Sequence, residues 1–114
     1  YIVSNKVYGT IADESAGDVD SVSGTTVMSG GNWYNLGVSW NGSTLIVYLN
    51  GSAENSVSTS VSEIEDLSSS LTIAKDAGND YGNGQVSQVL MYNRAITAAE
   101  FLQNYNVLKS RYGL

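Results

Sequence analysis

Two stretches of this chain carry side chains dense enough in oxygen to do chemistry. The first is Asp76-Ala-Gly-Asn79-Asp80-Tyr81-Gly-Asn83-Gly, a short loop rich in glycine and amide. Calcium takes six to eight oxygens at about 2.3–2.6 Å, and such a loop supplies about three or four. Asp76 and Asp80 are therefore the calcium candidates. The plainer reading is a turning segment whose Asp and Asn side chains bond their own backbone, and on that reading no metal or other cofactor is expected. Tyr81 adds a ring on which a sugar or partner can stack, so Asp76, Asn79, Asp80, Tyr81 and Asn83 form the candidate ligand-binding loop. The second stretch is Glu63-Ile-Glu65-Asp66. Extended backbone puts Glu63 and Glu65 on one face, roughly 7 Å apart. Retaining glycoside hydrolysis wants its carboxyl pair about 5–5.5 Å apart, within reach of flexible side chains. The run lies in a polar segment, however, and a solvated turn explains it without catalysis.

Elsewhere the composition removes chemistry. The 114 residues include no cysteine, no histidine and no proline. Thiolate metal sites, disulfides and the commonest general base are excluded together. No phosphate loop, nucleophile elbow or zinc motif is present, and no catalytic residue is assigned. Eleven acids against five bases give a net charge of −6, and the bases form no run. Nucleic acid and anionic membrane surfaces are thereby excluded as partners, since both demand basic patches. No apolar stretch reaches the ~20 residues of a membrane span. Asp13, Glu14, Asp18 and Asp20 are the densest acids and read as a solvated loop. The chain begins at Tyr1, as expected of a processed product or an excerpt of something longer. A surface polar through hydroxyls and amides, with only 14% charged residues, is common among extracellular and virion β-proteins.

These residues must be positioned by strands. In Trp33–Trp40 the residues Tyr34, Leu36, Val38 and Trp40 share one face. In Thr44–Asn50 the residues Leu45, Val47 and Leu49 oppose Ile46 and Tyr48, which predicts a strand covered on both sides. Ala53, Val57 and Val61 continue the pattern. Asn41-Gly42 and Asn50-Gly51 separate the runs, the dipeptides of tight hairpins, so an antiparallel meander is predicted. Both asparagines also fit the N-glycosylation pattern, but the turns already explain them. Ile2–Tyr8 and Thr25–Ser29 read as strands, with Asp13–Gly24 a loop or weak strand. Leu71–Lys75 reads as a short strand and Gly84–Asn93 as the last one, too apolar for an exposed edge. Trp33 and Trp40 are assigned to the core, and Tyr48 and Tyr92 to packing between sheets. Thr97 and Glu100 form a capping box, Ile96 and Phe101 a hydrophobic staple. Phe101, Leu102, Tyr105 and Leu108 then predict an amphipathic helix over about 98–109, ended by Gly113.

Several of these motifs recur in a familiar order. Trp33-Tyr-Asn-Leu-Gly-Val-Ser-Trp40-Asn-Gly, Leu45-Ile-Val-Tyr-Leu-Asn-Gly51, Leu71-Thr-Ile-Ala and Gly84-Gln-Val-Ser-Gln-Val-Leu-Met-Tyr92-Asn-Arg-Ala-Ile-Thr-Ala-Ala-Glu100 resemble the C-terminal portion of laminin-G-like domains. These belong to the concanavalin A-like lectin/glucanase superfamily, and the resemblance covers about residues 30–112. It implies one all-β domain over 1–114, an antiparallel jelly-roll β-sandwich with one short C-terminal α-helix. Family members run longer, so some N-terminal strands are expected to be missing or supplied by another chain. Where many members place a calcium-associated acid, this chain has Ser87. The glucanase catalytic motif carries a further acid that Leu67 and Ser68 do not supply. The closing stretch resembles versions carried by phage structural proteins. The resemblance thus implies a non-enzymatic structural module at a virion surface, in a capsid decoration, tail or fibre, within a homo- or hetero-oligomeric assembly of virion or surface proteins. The alternative is a carbohydrate-binding module of a secreted or phage adhesin, with glycans as partners and an extracellular or cell-surface location.

Overall fold

The fold follows from strands that must hide apolar faces against one another. A computed structural model describes residues 1–13, 17–61, 63–64, 72–74 and 82–114. Among them, β1 (Ile2–Val3), β2 (Lys6–Asp13) and β3 (Asp18–Ser23) form one antiparallel sheet in the order β1-β2-β3. β4 (Leu36–Trp40), β5 (Thr44–Leu49) and β6 (Ser52–Ser58) form the second, ordered β4-β5-β6, and α1 (Ala98–Tyr112) closes the chain. The predicted meander is present, and β2 packs across β5 to make the expected sandwich.

Two turns set the register of that meander. Leu49 pairs with Ser52, and the residues between them, Asn50 and Gly51, both have positive φ, at 49° and 80°. That is the type I′ signature, whose twist matches the strands it joins. At the first turn only Gly42 has positive φ, while the Asn41 side chain accepts the N–H groups of Ser43 and Thr44. A bulge follows in β6. Val47 faces Asn55 but Tyr48 faces Ala53, leaving Glu54 as the extra residue. Bulges re-aim a side chain, and this one turns Glu54 toward Thr25 and Thr26.

β5 is buried on both faces, as its alternation predicts. Leu45 and Val47 meet Val7, Ile11, Val22 and Val61 in the core between the sheets, with Trp40 and Val57 at its margin. On the other face, Ile46 and Tyr48 pack with Ile96 and Phe101. The Tyr48 and Phe101 rings stack at 3.9 Å between centroids, 15° from parallel. Tyr48 therefore packs between sheet and helix instead of between sheets. Close approach of the helix depends on Gly37, where a Cβ would sit 2.0 Å from the Phe101 ring.

The helix begins as the sequence dictates. Thr97 accepts the Glu100 N–H, and Glu100 accepts the Thr97 N–H, completing the capping box. It runs one turn beyond the expected end, to Tyr112, whose ring packs on Trp33 at 5.3 Å. Gly113, at φ 68°, then lets the Leu114 N–H close on the Lys109 carbonyl. Trp33 thus packs on the helix end and precedes β4, which starts only at Leu36.

Several expectations are corrected. Ile2–Tyr8 is not one strand: Ser4 and Asn5 both have positive φ and fold it into a hairpin, β1-β2. Asp18–Ser23 is a full strand, and Asp13 is buried at the end of β2, so Asp13, Asp18 and Asp20 belong to strands and not to a solvated loop; Glu14 lies outside the described residues. Thr25–Ser29 is not a strand. Its Met28 is buried and donates its N–H to the Asn5 carbonyl, while Thr25 and Thr26 bond Glu54. Thr72–Ala74 is irregular, with Ala74 at φ 58°; Leu71 and Lys75 lie outside the described residues. Gly84–Asn93 forms no ladder among the described residues either, and Val86, Val89, Leu90, Met91 and Tyr92 are exposed. A strand needs a neighbour at hydrogen-bonding distance, and this segment instead runs beside α1. Ser87 meets Tyr112, Tyr92 accepts from Asn104 at 3.1 Å, and Arg94 bonds Glu100.

A methyl group at residue 37 tests the contact on which the helix sits. Gly37→Ala is expected to cost about 1–3 kcal/mol, as overpacking of a filled contact does. Thermal unfolding followed by circular dichroism should report a Tm lower by several degrees, with Tyr48 and Phe101 fluorescence and near-ultraviolet signals weakened.

Candidate interaction cleft

The anticipated loop is only partly in view. Asp76, Asn79, Asp80 and Tyr81 lie outside the described residues, and Asn83 is exposed at the loop's far end. The Gly82 N–H donates to the Ala74 carbonyl at 2.8 Å, joining the two flanks. Glu63 is exposed, while Glu65 and Asp66 lie outside the described residues. Among the described residues, no group of three or more acids could hold a metal ion.

Other carboxylates have clear structural partners. Asp20, on β3, accepts the Ser60 and Val61 N–H groups at 2.7 and 3.2 Å and the Ser60 hydroxyl at 3.1 Å. Glu54, on the β6 bulge, accepts the Thr25 and Thr26 N–H groups at 2.9 and 2.7 Å and both threonine hydroxyls. Each acid reaches from one sheet to the chain leaving the other, so the pair fastens β3 to β6. Backbone N–H donors, Val61 foremost, hold the Asp20 carboxyl below its ordinary range, and the Thr26 N–H does the same for Glu54. Glu100 goes furthest, to about 2, through Arg94 first and the Thr97 cap second.

The feature that the sequence did not disclose is a cleft of about 1310 Å³ beside β4. One wall is β4 itself, with Leu36 and Val38; the other is the unpaired segment carrying Val89, Leu90 and Met91. Leu36 is 38% exposed, Val38 46% and Met91 72%. Alternation had assigned Leu36 and Val38 to a buried face. They do face the sandwich interior, where Val38 lies near Gly9, but on a strand that ends its sheet among the described residues. Edge position is set by strand order, and no local signal in residues 33–40 reports it. Among the described residues, Arg94 is the one charged side chain lining the cleft, and it is paired with Glu100 at 2.6 Å.

Two facing antiparallel sheets with a capped C-terminal helix define the class. The sequence model of the concanavalin A-like lectin/glucanases superfamily, in its laminin G form, matches residues 2–101, and the chain belongs to that superfamily. The match takes in the first thirty residues, where the motifs are least legible. A crystal structure of an S-layer domain-containing protein from Clostridium thermocellum is similar, with a TM-score of 0.59 at 20% identity. The similarity covers 76% of this chain and 45% of that one, so the chain spans less than half the length of this structural neighbour. No functionally curated protein matches the sequence.

The fasteners make a prediction in acid. A carboxyl whose folded pKa is depressed contributes stability above its unfolded value, near 4, and loses it as pH falls through the folded value. Urea unfolding should therefore give a stability that is level from pH 7 to about 5 and declines between about 4.5 and 2. Asp20→Asn and Glu54→Gln should each lower Tm at pH 7 and flatten that decline. An unchanged acid limb in both variants would show that the two sheets are held without them.

Proposed function

We propose that this chain is a non-enzymatic interaction module, displayed on an extracellular surface and built into a larger assembly. A virion decoration, tail or fibre component is the form that the resemblance to phage structural proteins favours. The observation that carries the proposal is the cleft beside β4: a wide, largely apolar, exposed depression in which the one charged side chain among the described residues, Arg94, is paired with Glu100. Exposed apolar surface of this kind marks protein contact, since water otherwise penalises it. The acids support the same reading, because Asp20, Glu54 and Glu100 act as fasteners holding backbone N–H groups. The S-layer domain in the neighbour's name is consistent with placement at a surface. No metal is needed for any of these contacts.

Lysine cross-linking on the intact particle or envelope that carries the chain, read by mass spectrometry, tests the reading. Cross-links to a second surface or shell protein are expected. Recovery of the chain free in a soluble fraction with no such partner would overturn it, as would turnover of a β-glucan that Glu63→Gln abolishes. Chelation by EDTA and addition of calcium should leave Tm unchanged, because a ligand that does not bind the folded state cannot shift its unfolding.

A glycan-binding reading has one observation in its favour. Tyr1 and Tyr8 sit 4.8 Å apart on the outer face of the first sheet, tilted by 45°. Their hydroxyls meet Thr10 at 3.1 Å and Ser21 at 2.8 Å, which holds the rings in place. Paired rings flanked by hydroxyls suit a pyranose, which offers an apolar face and a polar edge. Binding on a glycan array, reduced about tenfold or more by Tyr8→Ala, would favour this reading over protein contact.

A further inference from the structure

The two hairpin turns carry the same tripeptide, Asn41-Gly-Ser43 and Asn50-Gly-Ser52. An Asn-Gly pair is able to react with itself, because glycine has no side chain to keep its backbone nitrogen from the neighbouring amide carbon. Ring closure needs a polarised side-chain carbonyl, a nitrogen free to swing onto it and an amide able to leave. Identical sequence gives both turns the same intrinsic reactivity. The fold separates them.

At the first turn the Asn41 Oδ1 accepts three hydrogen bonds. The Ser43 N–H and the Ser43 hydroxyl each donate at 3.1 Å, and the Thr44 N–H donates at 2.9 Å. Attack on the Asn41 Cγ turns this oxygen into an oxyanion, and donors already aimed at a developing charge favour the attacked state over the neutral carbonyl. Hydrogen bonds to an ion are roughly twice as strong as those to a neutral group. The turn has thus built a small oxyanion cradle from its own backbone and one serine. Asn41, Gly42 and Ser43 are exposed, so water reaches the carbon and the leaving amide.

The second turn is held shut. The Asn50 Oδ1 accepts a single bond, from the Asn35 N–H at 2.9 Å, while the Asn50 N–H is bound to the Asn35 carbonyl at 2.8 Å. Gly51 is buried under Tyr105, where a Cβ would sit 2.9 Å from that side chain. Ring closure must swing the peptide between Asn50 and Gly51, and Asn35 and Tyr105 pin it from two sides.

We propose that Asn41 is a self-modifying residue, converted in the folded protein to aspartate and isoaspartate. The Gly42 nitrogen gives its proton to solvent hydroxide and bonds to the Asn41 Cγ. The bond from Cγ to Nδ2 breaks, and Nδ2 takes a proton from water and leaves as ammonia. The product is a five-membered succinimide, and a second water opens it at either carbonyl. One opening gives aspartate; the other gives isoaspartate, whose main chain runs through the former side-chain carbonyl. No atom is oxidised or reduced. Either product adds a negative charge where β4 turns into β5, at a residue that lines the cleft.

Peptide mapping of the folded chain after incubation at mildly alkaline pH, with fragmentation that separates aspartate from isoaspartate, tests this. Both products are expected at residue 41, with at least tenfold less at residue 50. In guanidinium chloride, where cradle and pin are both lost, the two rates should become equal. Ser43→Ala removes one of the three donors and should slow the reaction at Asn41 about fivefold, the worth of one exposed hydrogen bond. Ser43→Thr keeps the hydroxyl and should keep the rate. An unmodified Asn41, equal product at residues 41 and 50 in the folded chain, or an unchanged rate in Ser43→Ala would each overturn the proposal.

Discussion

Strand β5 is covered on both faces, and most of the molecule is arranged around that constraint. Leu45 and Val47 oblige a second sheet to lie across one side, and Val7, Ile11 and Val22 supply it. Ile46 and Tyr48 oblige a cover on the other, and α1 supplies it through Phe101. Fully burying side chains of this size is worth about 1.5–3 kcal/mol each, which makes β5 the densest source of stability in the chain. Val47 is wholly inaccessible to solvent, and Tyr48 is 2% exposed. Glycine at residue 37 is a consequence of the same constraint, since the Phe101 ring occupies the space a side chain would need.

Asp20, Glu54 and Glu100 belong to this architecture. A sandwich held only by apolar contact could slide, because hydrophobic attraction has no direction. Asp20 and Glu54 provide direction, each binding two backbone N–H groups that lie beyond a strand end. The bulge at Glu54 makes one of these contacts geometrically available. Glu100 does comparable work at the helix start, where it binds the Thr97 N–H and Arg94 together. Acids used in this way keep their charge at neutral pH and stay bound to the chain.

What remains open to a partner is the side of the sandwich where the sheets stop. Among the described residues, β4 has a neighbour on one edge only, and the apolar segment Val86–Tyr92 lies beyond the gap without joining it. Unpaired edges invite other strands, and soluble proteins commonly guard them with charge or proline. This edge has neither: β4 reads Leu-Gly-Val-Ser-Trp.

By itself, the sequence determined everything that depends on neighbours close along the chain. Asn50-Gly51 dictated its turn, alternation dictated the two covered faces of β5, and Thr97 with Glu100 dictated where α1 starts, because each signal acts within a few residues. The superfamily was legible for the same reason, since its motifs are such local patterns in order. Only the tertiary structure decided which strands have neighbours. Val86–Tyr92 is rich in strand-forming residues, and Leu36 and Val38 are core-forming ones, yet among the described residues the first pairs with no strand and the others are half-exposed. Asp20 likewise reads as a solvated acid, and Glu54 carries no signal of its own, until partners about 28–41 positions away come within hydrogen-bonding distance. Pairing across such separations is set by how sheets assemble in space, and no run of adjacent residues encodes it.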